Sequence, residues 1–397
     1  MRSDPPNIQG TTTAGFEVVR QAFEANFTQR GERGAAVAVY RDGLPVVDLW
    51  GGTADADAVG GGRPWTARTA QVLRSATKGV SATVLLLLAD RGLIDLDAPV
   101  ADHWPEFGVH GKGRVTARQL LAHRAGLAAL DEPLTAAQAC DGRSGPAAVA
   151  AQRPWWEPGT AHGYHAQTYS WLIGELVRRV DGRTLGTVLA EEIAELLAAD
   201  LWIGVPPDRQ DRVGRIAPVE PPPPRGGAPR VRPRREVAEA YADPASLTRR
   251  AFGTVSPAPD ENASAWRAAE LPASSGIATA RGLADFYAAL GAGRILGRRM
   301  LAQARTEHSS GPDRVLLAKT RFGLGFMLHS PAAPMSSPAA FGHPGRGGSL
   351  AFADPELGLA FAYVTNGMRP GVTSDPRAQS LVRAVRQCLE AKAAVAA

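Results

Sequence analysis

The order of patterns along the chain predicts an α+β fold, in which a strand-bearing domain is assembled from the two chain ends and a mainly helical domain is inserted between them. Three observations carry this. Short apolar runs bounded by turn residues occur from Ala35 to Gly52 and again between Phe322 and Asn366. The stretch between them is helices and loops with little alternation. A concentrated apolar run, Val84 to Leu88, sits behind a Ser-x-x-Lys pair and reads as a helix buried at the centre. The expected domains are residues 1–84 with 236–397, and 85–235, the second including a Pro-rich connector at 217–235.

In chain order, Phe16, Val19, Phe23 and Phe27 fall on one stripe and predict an amphipathic helix. Two apolar runs, Ala35–Tyr40 and Pro45–Gly52, flank Arg41-Asp42-Gly43 and predict a hairpin. A helix is expected to begin near Ser75 and to stop at Asp90-Arg91-Gly92, with Gly92 free to take the left-handed position. Thr116–His123 is a short helix, and Trp171, Leu172, Leu176 and Val180 stripe another over Tyr169–Val180. Four consecutive prolines, Pro221 to Pro224, exclude helix or central strand and read as a solvated connector, the alternative being an active-site lid. Beyond it come a helix over 281–290, strands over Phe322–Leu328, Ser349–Ala353 and Leu359–Asn366, and a closing helix over 378–389.

Composition narrows the function. The net charge is +5, but the arginines are scattered, and the densest cluster, Arg225 to Arg235, lies among prolines without interleaved aromatics, so no nucleic-acid partner is expected. No apolar run approaches the ~20 residues that span a bilayer, so no membrane partner is expected either. The two cysteines, Cys140 and Cys388, give neither metal spacing nor a disulfide framework, and the first residues lack the apolar core of a secretory signal. The expectation is a cytoplasmic protein without metal or cofactor, acting on a small molecule.

The chemistry starts at Ser75. Residues three apart share a helix face, so the Ser75 hydroxyl falls beside the Lys78 amine. A serine is a poor nucleophile without a base, and a lysine serves as that base only when burial or nearby positive charge lowers its pKa. The chain has only four lysines, Lys78, Lys112, Lys319 and Lys392, so a lysine on the most apolar helix is an odd choice for a surface charge. Two later stretches add to the pair. Gly163-Tyr164-His165-Ala166 presents Tyr164 in a loop before a helix, and Gly342-His343-Pro344-Gly345-Arg346-Gly347-Gly348 is a glycine-rich entry to a strand.

In order and spacing these three motifs resemble the Ser-x-x-Lys, Tyr-x-Asn and Lys-Thr-Gly motifs of the class C β-lactamase and penicillin-binding-protein superfamily. With Leu120-Leu121-Ala122-His123-Arg124-Ala125-Gly126-Leu127 they are most similar to family VIII carboxylesterases, over roughly residues 15–390. The resemblance implies a β-lactamase/transpeptidase-like fold, an α/β sandwich whose antiparallel sheet is flanked by helices, with an inserted helical domain and the site between the two. It implies Ser75 as acyl-accepting nucleophile, Lys78 and Tyr164 as joint proton partners, and the backbone N–H groups of Ser75 and Arg346 as the oxyanion hole. His165, His343 and Gly345 would contact substrate, the glycines letting it approach the strand backbone. Ala166 and His343-Pro344-Gly345 depart from the pattern, removing an amide, a permanent cation and a hydroxyl that serve β-lactams. The Gly-x-Ser-x-Gly elbow of α/β-hydrolases is absent. The expected activity is hydrolysis of small, uncharged carboxylic esters through an acyl-Ser75 intermediate. The alternatives are transfer of the acyl group to an alcohol or amine, β-lactam or D-amino-acid peptide cleavage, and a silent scaffold.

Overall fold

The computed structural model describes residues 7–58, 61–220 and 235–396. Among the described residues, nine strands form one antiparallel sheet, in the order Gln9–Thr12, Leu44–Gly52, Gly34–Arg41, Leu359–Thr365, Leu350–Asp354, Phe341–Pro344, Met327–Leu328, Lys319–Phe322, Ser309–Pro312. The two chain ends meet where Gly34–Arg41 pairs with Leu359–Thr365, Val37 opposite Tyr363.

Period-two alternation explains why these strands are apolar throughout. In Gly34–Arg41, Ala35, Val37 and Val39 face one layer, and Ala36, Ala38 and Tyr40 the other. Leu359, Phe361 and Tyr363 join the first face, and Ala360, Ala362 and Val364 the second. The first face is covered by the helices Glu17–Gln29 and Pro376–Ala396, through Phe23, Leu381 and Val385. The second, small-residue face receives the helix Ala280–Gly291, through Leu283, Phe286 and Tyr287. A sheet buried on both sides needs no polar face.

The hairpin turn follows its sequence: Asp42 and Gly43 both take positive φ, 50° and 78°, which suits the twist of the flanking strands. Gly92 takes the left-handed position at 76°. Thr116 caps the short helix Ala117–Leu121 through a capping box with Gln119. One expected strand is broken. Phe322–Leu328 divides into Lys319–Phe322 and Met327–Leu328, because the chain reverses at Gly323–Phe326, where the Gly323 N–H donates to the Phe326 carbonyl at 2.9 Å.

The helix Thr77–Asp90 is buried from Thr77 to Leu88, and its leucines pack with Leu172 and Leu176 of the helix Tyr169–Asp181. A small sheet of Gln71–Val72, Gly276–Ala278 and Leu201–Ile203 crosses in front of it. Of the connector expected at 217–235, residues 221–234 lie outside the described residues, while Ala217–Pro218 pairs in parallel with Gly367–Met368. Among the described residues no helix is long and apolar enough to cross a membrane.

Candidate active site

Ser75 lies in a 3-10 turn, Arg74–Ala76, that leads into the helix Thr77–Asp90 rather than being its first turn. This differs from the regular helix start expected there, because the chain enters through Arg74 at φ 49°. Left-handed backbone at a non-glycine residue is costly and persists only where the surroundings hold it. Here Arg74 Nε and Nη2 donate to the Glu261 carboxylate at 3.0 and 2.7 Å, and Nη1 donates to the Arg346 carbonyl at 3.1 Å. Behind the turn, the Thr77 hydroxyl donates to the Arg74 carbonyl at 2.6 Å and accepts from the Gly276 N–H at 3.0 Å.

Lys78 is wholly buried, and its Nζ donates to the Ala166 and Ala273 carbonyls at 2.9 and 3.2 Å. Burial, with no carboxylate paired to it among the described residues, holds the amine well below the ordinary lysine pKa. A neutral amine has two N–H groups and one lone pair. The two carbonyls take both N–H groups, which leaves the lone pair for a proton.

Tyr164 completes the group. Lys78 Nζ stands 4.6 Å from the centroid of its ring, and Phe322 stacks beside it at 6.2 Å. Its buried hydroxyl has no well-formed hydrogen bond; burial pushes the phenol well above its usual pKa, while the neighbouring Ser75 hydroxyl opposes that shift. The loop is held from behind by Asp313, whose Oδ1 accepts the Tyr164 N–H at 3.1 Å and the Val315 and Leu316 N–H groups at 2.8 Å each.

The third motif supplies a donor. The Gly345 carbonyl accepts the Gly348 N–H at 3.1 Å, so across the trans peptide the Arg346 N–H points the opposite way. Among the described residues neither this N–H nor that of Ser75 has an acceptor. Two unsatisfied N–H groups on one cavity are what a developing oxyanion needs. The cavity measures about 590 Å³ and is lined by Ser75, Ala166, Gln167, Phe252, Trp266 and Arg346 among others.

The substrate contacts expected of His165, His343 and Gly345 are not where the structure puts these residues. His165 is fully buried, with Nδ1 2.8 Å from the Gly163 carbonyl and Nε2 accepting the Leu127 N–H at 3.1 Å, so neither ring nitrogen is left to offer. His343 is also fully buried; its Nδ1 donates to the Pro344 carbonyl at 2.7 Å, and its ring lies 5.8 Å from that of Tyr164, behind the cavity wall. Burial pushes the two imidazoles down to about 4 and about 3, so both are neutral. Gly345 is required by the protein itself: a Cβ there would stand 2.2 Å from the Leu73 carbonyl. Gly348, at φ 136°, would press one onto Arg377 Nη2 at 2.5 Å.

Arg74, Glu261 and Asp313 escaped the sequence reading. Arg74 adjoins the nucleophile, but its partners lie 187 and 272 residues away, and Asp313 lies 149 residues from Tyr164. Gly311-Pro312-Asp313 signals a turn, and nothing in it signals Tyr164.

Known proteins are similar to this chain over most of its length. The family model described as Beta-lactamase matches residues 19–385. The chain is 38% identical over 368 residues, 90% of this chain and 83% of the relative, to Esterase/beta-lactamase LipL of Mycobacterium tuberculosis (strain ATCC 25618 / H37Rv). The crystal structure of a family VIII carboxylesterase superposes with a TM-score of 0.85 at 38% identity, covering 96% of this chain and 100% of that one. A penicillin-binding-protein homologue from Caulobacter crescentus superposes at 0.83 with 37% identity, covering 96% and 100%.

Proposed function

The chain belongs to the Beta-lactamase family, and on that footing we propose that it is a serine hydrolase cleaving carboxylic esters through an acyl-Ser75 intermediate. The observation that carries the reading is that Ser75 and Arg346, whose N–H groups have no acceptor among the described residues, line one cavity, with the Tyr164 hydroxyl beside that of Ser75 and the buried Lys78 amine, its pKa depressed by burial, 4.6 Å from the Tyr164 ring centroid.

Ser75 Oγ attacks the ester carbonyl carbon and gives up its proton to the Lys78–Tyr164 pair. Lys78 contributes the lone pair, and Tyr164, kept as a neutral phenol, relays the proton between the amine and the reacting oxygens. The carbonyl oxygen becomes an oxyanion against the Ser75 and Arg346 N–H groups. Collapse expels the alcohol, which takes the proton back. Water, deprotonated by the same pair, then attacks the acyl carbon and releases the acid and Ser75.

The test is labelling with a fluorophosphonate and mass mapping of the adduct. The expected result is one adduct, on Ser75, with turnover of p-nitrophenyl acetate lost in Ser75→Ala. A Ser75→Ala protein that kept wild-type turnover would overturn the reading. Because the Ser75 hydroxyl caps no helix, that variant is expected to lose no more than about 1 kcal/mol of stability.

A further inference from the structure

Beside the catalytic cavity lies a second one of about 490 Å³, and Arg346 and Pro370 line both. Its roof is the helix Arg235–Ala242, in which no residue is buried although Val237, Ala238 and Tyr241 form one apolar stripe facing the cavity. Opposite that stripe lie Leu316 and Val372. The stripe is therefore turned onto open space rather than into a core.

The partition between the cavities is the Arg346 side chain. Its guanidinium lies 5.9 Å from the Tyr241 ring centroid and 5.3 Å from that of Phe252. Among the described residues no carboxylate forms an ion pair with it; Glu261, which lines the same catalytic cavity, is held on two oxygens by Arg74. A stacked cation without an ion pair can swing aside at small cost, and its aliphatic stem offers apolar wall.

We propose that the second cavity is the subsite for a linear apolar acyl chain of the ester bound at Ser75, a chain that runs past Arg346 and lies beneath Val237, Ala238 and Tyr241. This rests on the ester-hydrolase reading above. The acyl half fits better than the alcohol half, because the acyl group stays attached to Ser75 while the alcohol must leave, and the second cavity is the more enclosed of the two.

The experiment measures kcat/KM for p-nitrophenyl acetate, butyrate, hexanoate and octanoate on the full chain, in the wild type, Ala238→Trp and Ala238→Asp. Ala238 is exposed on a helix with no buried residue, so both changes leave the core untouched, and acetate, too short to reach the cavity, reports an intact site. The expected result is a rise in the wild type of up to about fourfold per methylene beyond butyrate, the gain from taking each CH₂ out of water. In both variants the slope should flatten, octanoate losing at least about tenfold while acetate stays within about twofold.

A wild-type profile that is flat or falls beyond butyrate overturns the inference, as does a slope that survives both variants. Equal losses on acetate and octanoate also overturn it, because the defect would then lie at Ser75 and not in the path of the chain. A chain-length gain found only in alkyl acetates, on the alcohol side, overturns the acyl assignment. Absence of turnover on every ester, acetate included, would overturn the ester reading itself.

Discussion

Arg74 Nη1 donates to the carbonyl of Arg346 at 3.1 Å, so the residue before the proposed nucleophile holds the residue whose N–H is proposed as the second oxyanion donor. The same guanidinium is fixed by Glu261 on the cavity wall. One side chain thus ties together the Ser75 turn, the glycine-rich turn and the loop that closes the cavity.

Arg74→Met should therefore lower kcat by roughly ten- to a hundred-fold with a smaller change in KM, since displacements of about 1 Å at reacting groups cost that much. Arg74→Lys, which keeps the charge but loses the fork, should fall between. Titrating the active sites with the fluorophosphonate beside steady-state kinetics on the acetate ester separates this from a purely structural role, which would reduce the labelled fraction and leave kcat per labelled site unchanged.

Lys78 and Tyr164 form one proton-transfer unit in the proposed mechanism, so their losses should not multiply. Lys78→Ala and Tyr164→Phe are each expected to cost several orders of magnitude in kcat, and the double variant little more than the worse of the two. A double-variant rate equal to the product of the two separate losses would mean that they act independently.

The buried Lys78 also makes stability depend on pH. Its folded pKa is depressed, so between that value and the unfolded value near ~10.4 the unfolded chain binds a proton that the folded chain does not, and raising the pH through this window stabilises the fold. The contribution has a slope of up to about 1.4 kcal/mol per pH unit. Denaturant unfolding of the wild type and Lys78→Met at pH 7 and pH 9 should show the wild type gaining on the variant at the higher pH. Parallel pH profiles would mean that Lys78 stays charged in the fold.

The third motif predicts the choice between esters and β-lactams. A β-lactam drug carries a carboxylate beside its scissile amide, and His343, buried and held down to about 3, brings no positive charge to meet it. Pro344 has no N–H and no hydroxyl. A missing charge-assisted hydrogen bond is worth roughly 1.5–3 kcal/mol, about ten- to a hundred-fold in rate, and the poorer amide leaving group widens the gap. On one preparation, kcat/KM for p-nitrophenyl butyrate should exceed that for a chromogenic cephalosporin by at least about a hundredfold, and equal values would show that the Arg346 guanidinium takes the carboxylate.

Much of this was legible in the sequence, and the reason is local. Period-two apolar runs such as Ala35–Tyr40 and Leu359–Val364 encode a strand buried on both faces whatever covers it, and Asp42-Gly43 encodes its own turn. Ser75 and Lys78 are three residues apart, so the 3-10 turn and the helix it leads into carry both within one short stretch of chain. Tyr164 and the glycine-rich turn were legible as motifs and not as geometry. Tertiary structure alone decided which side chains meet across distance. Arg74 finds Glu261 and Arg346, and Asp313 finds the Tyr164 N–H, across separations of 149 to 272 residues that no periodicity records. It also decided that His165 serves the scaffold, since packing leaves both of its ring nitrogens on the protein's own backbone. An apolar stripe on the helix Arg235–Ala242 states in sequence that a face exists, and only the packing around it leaves that face open.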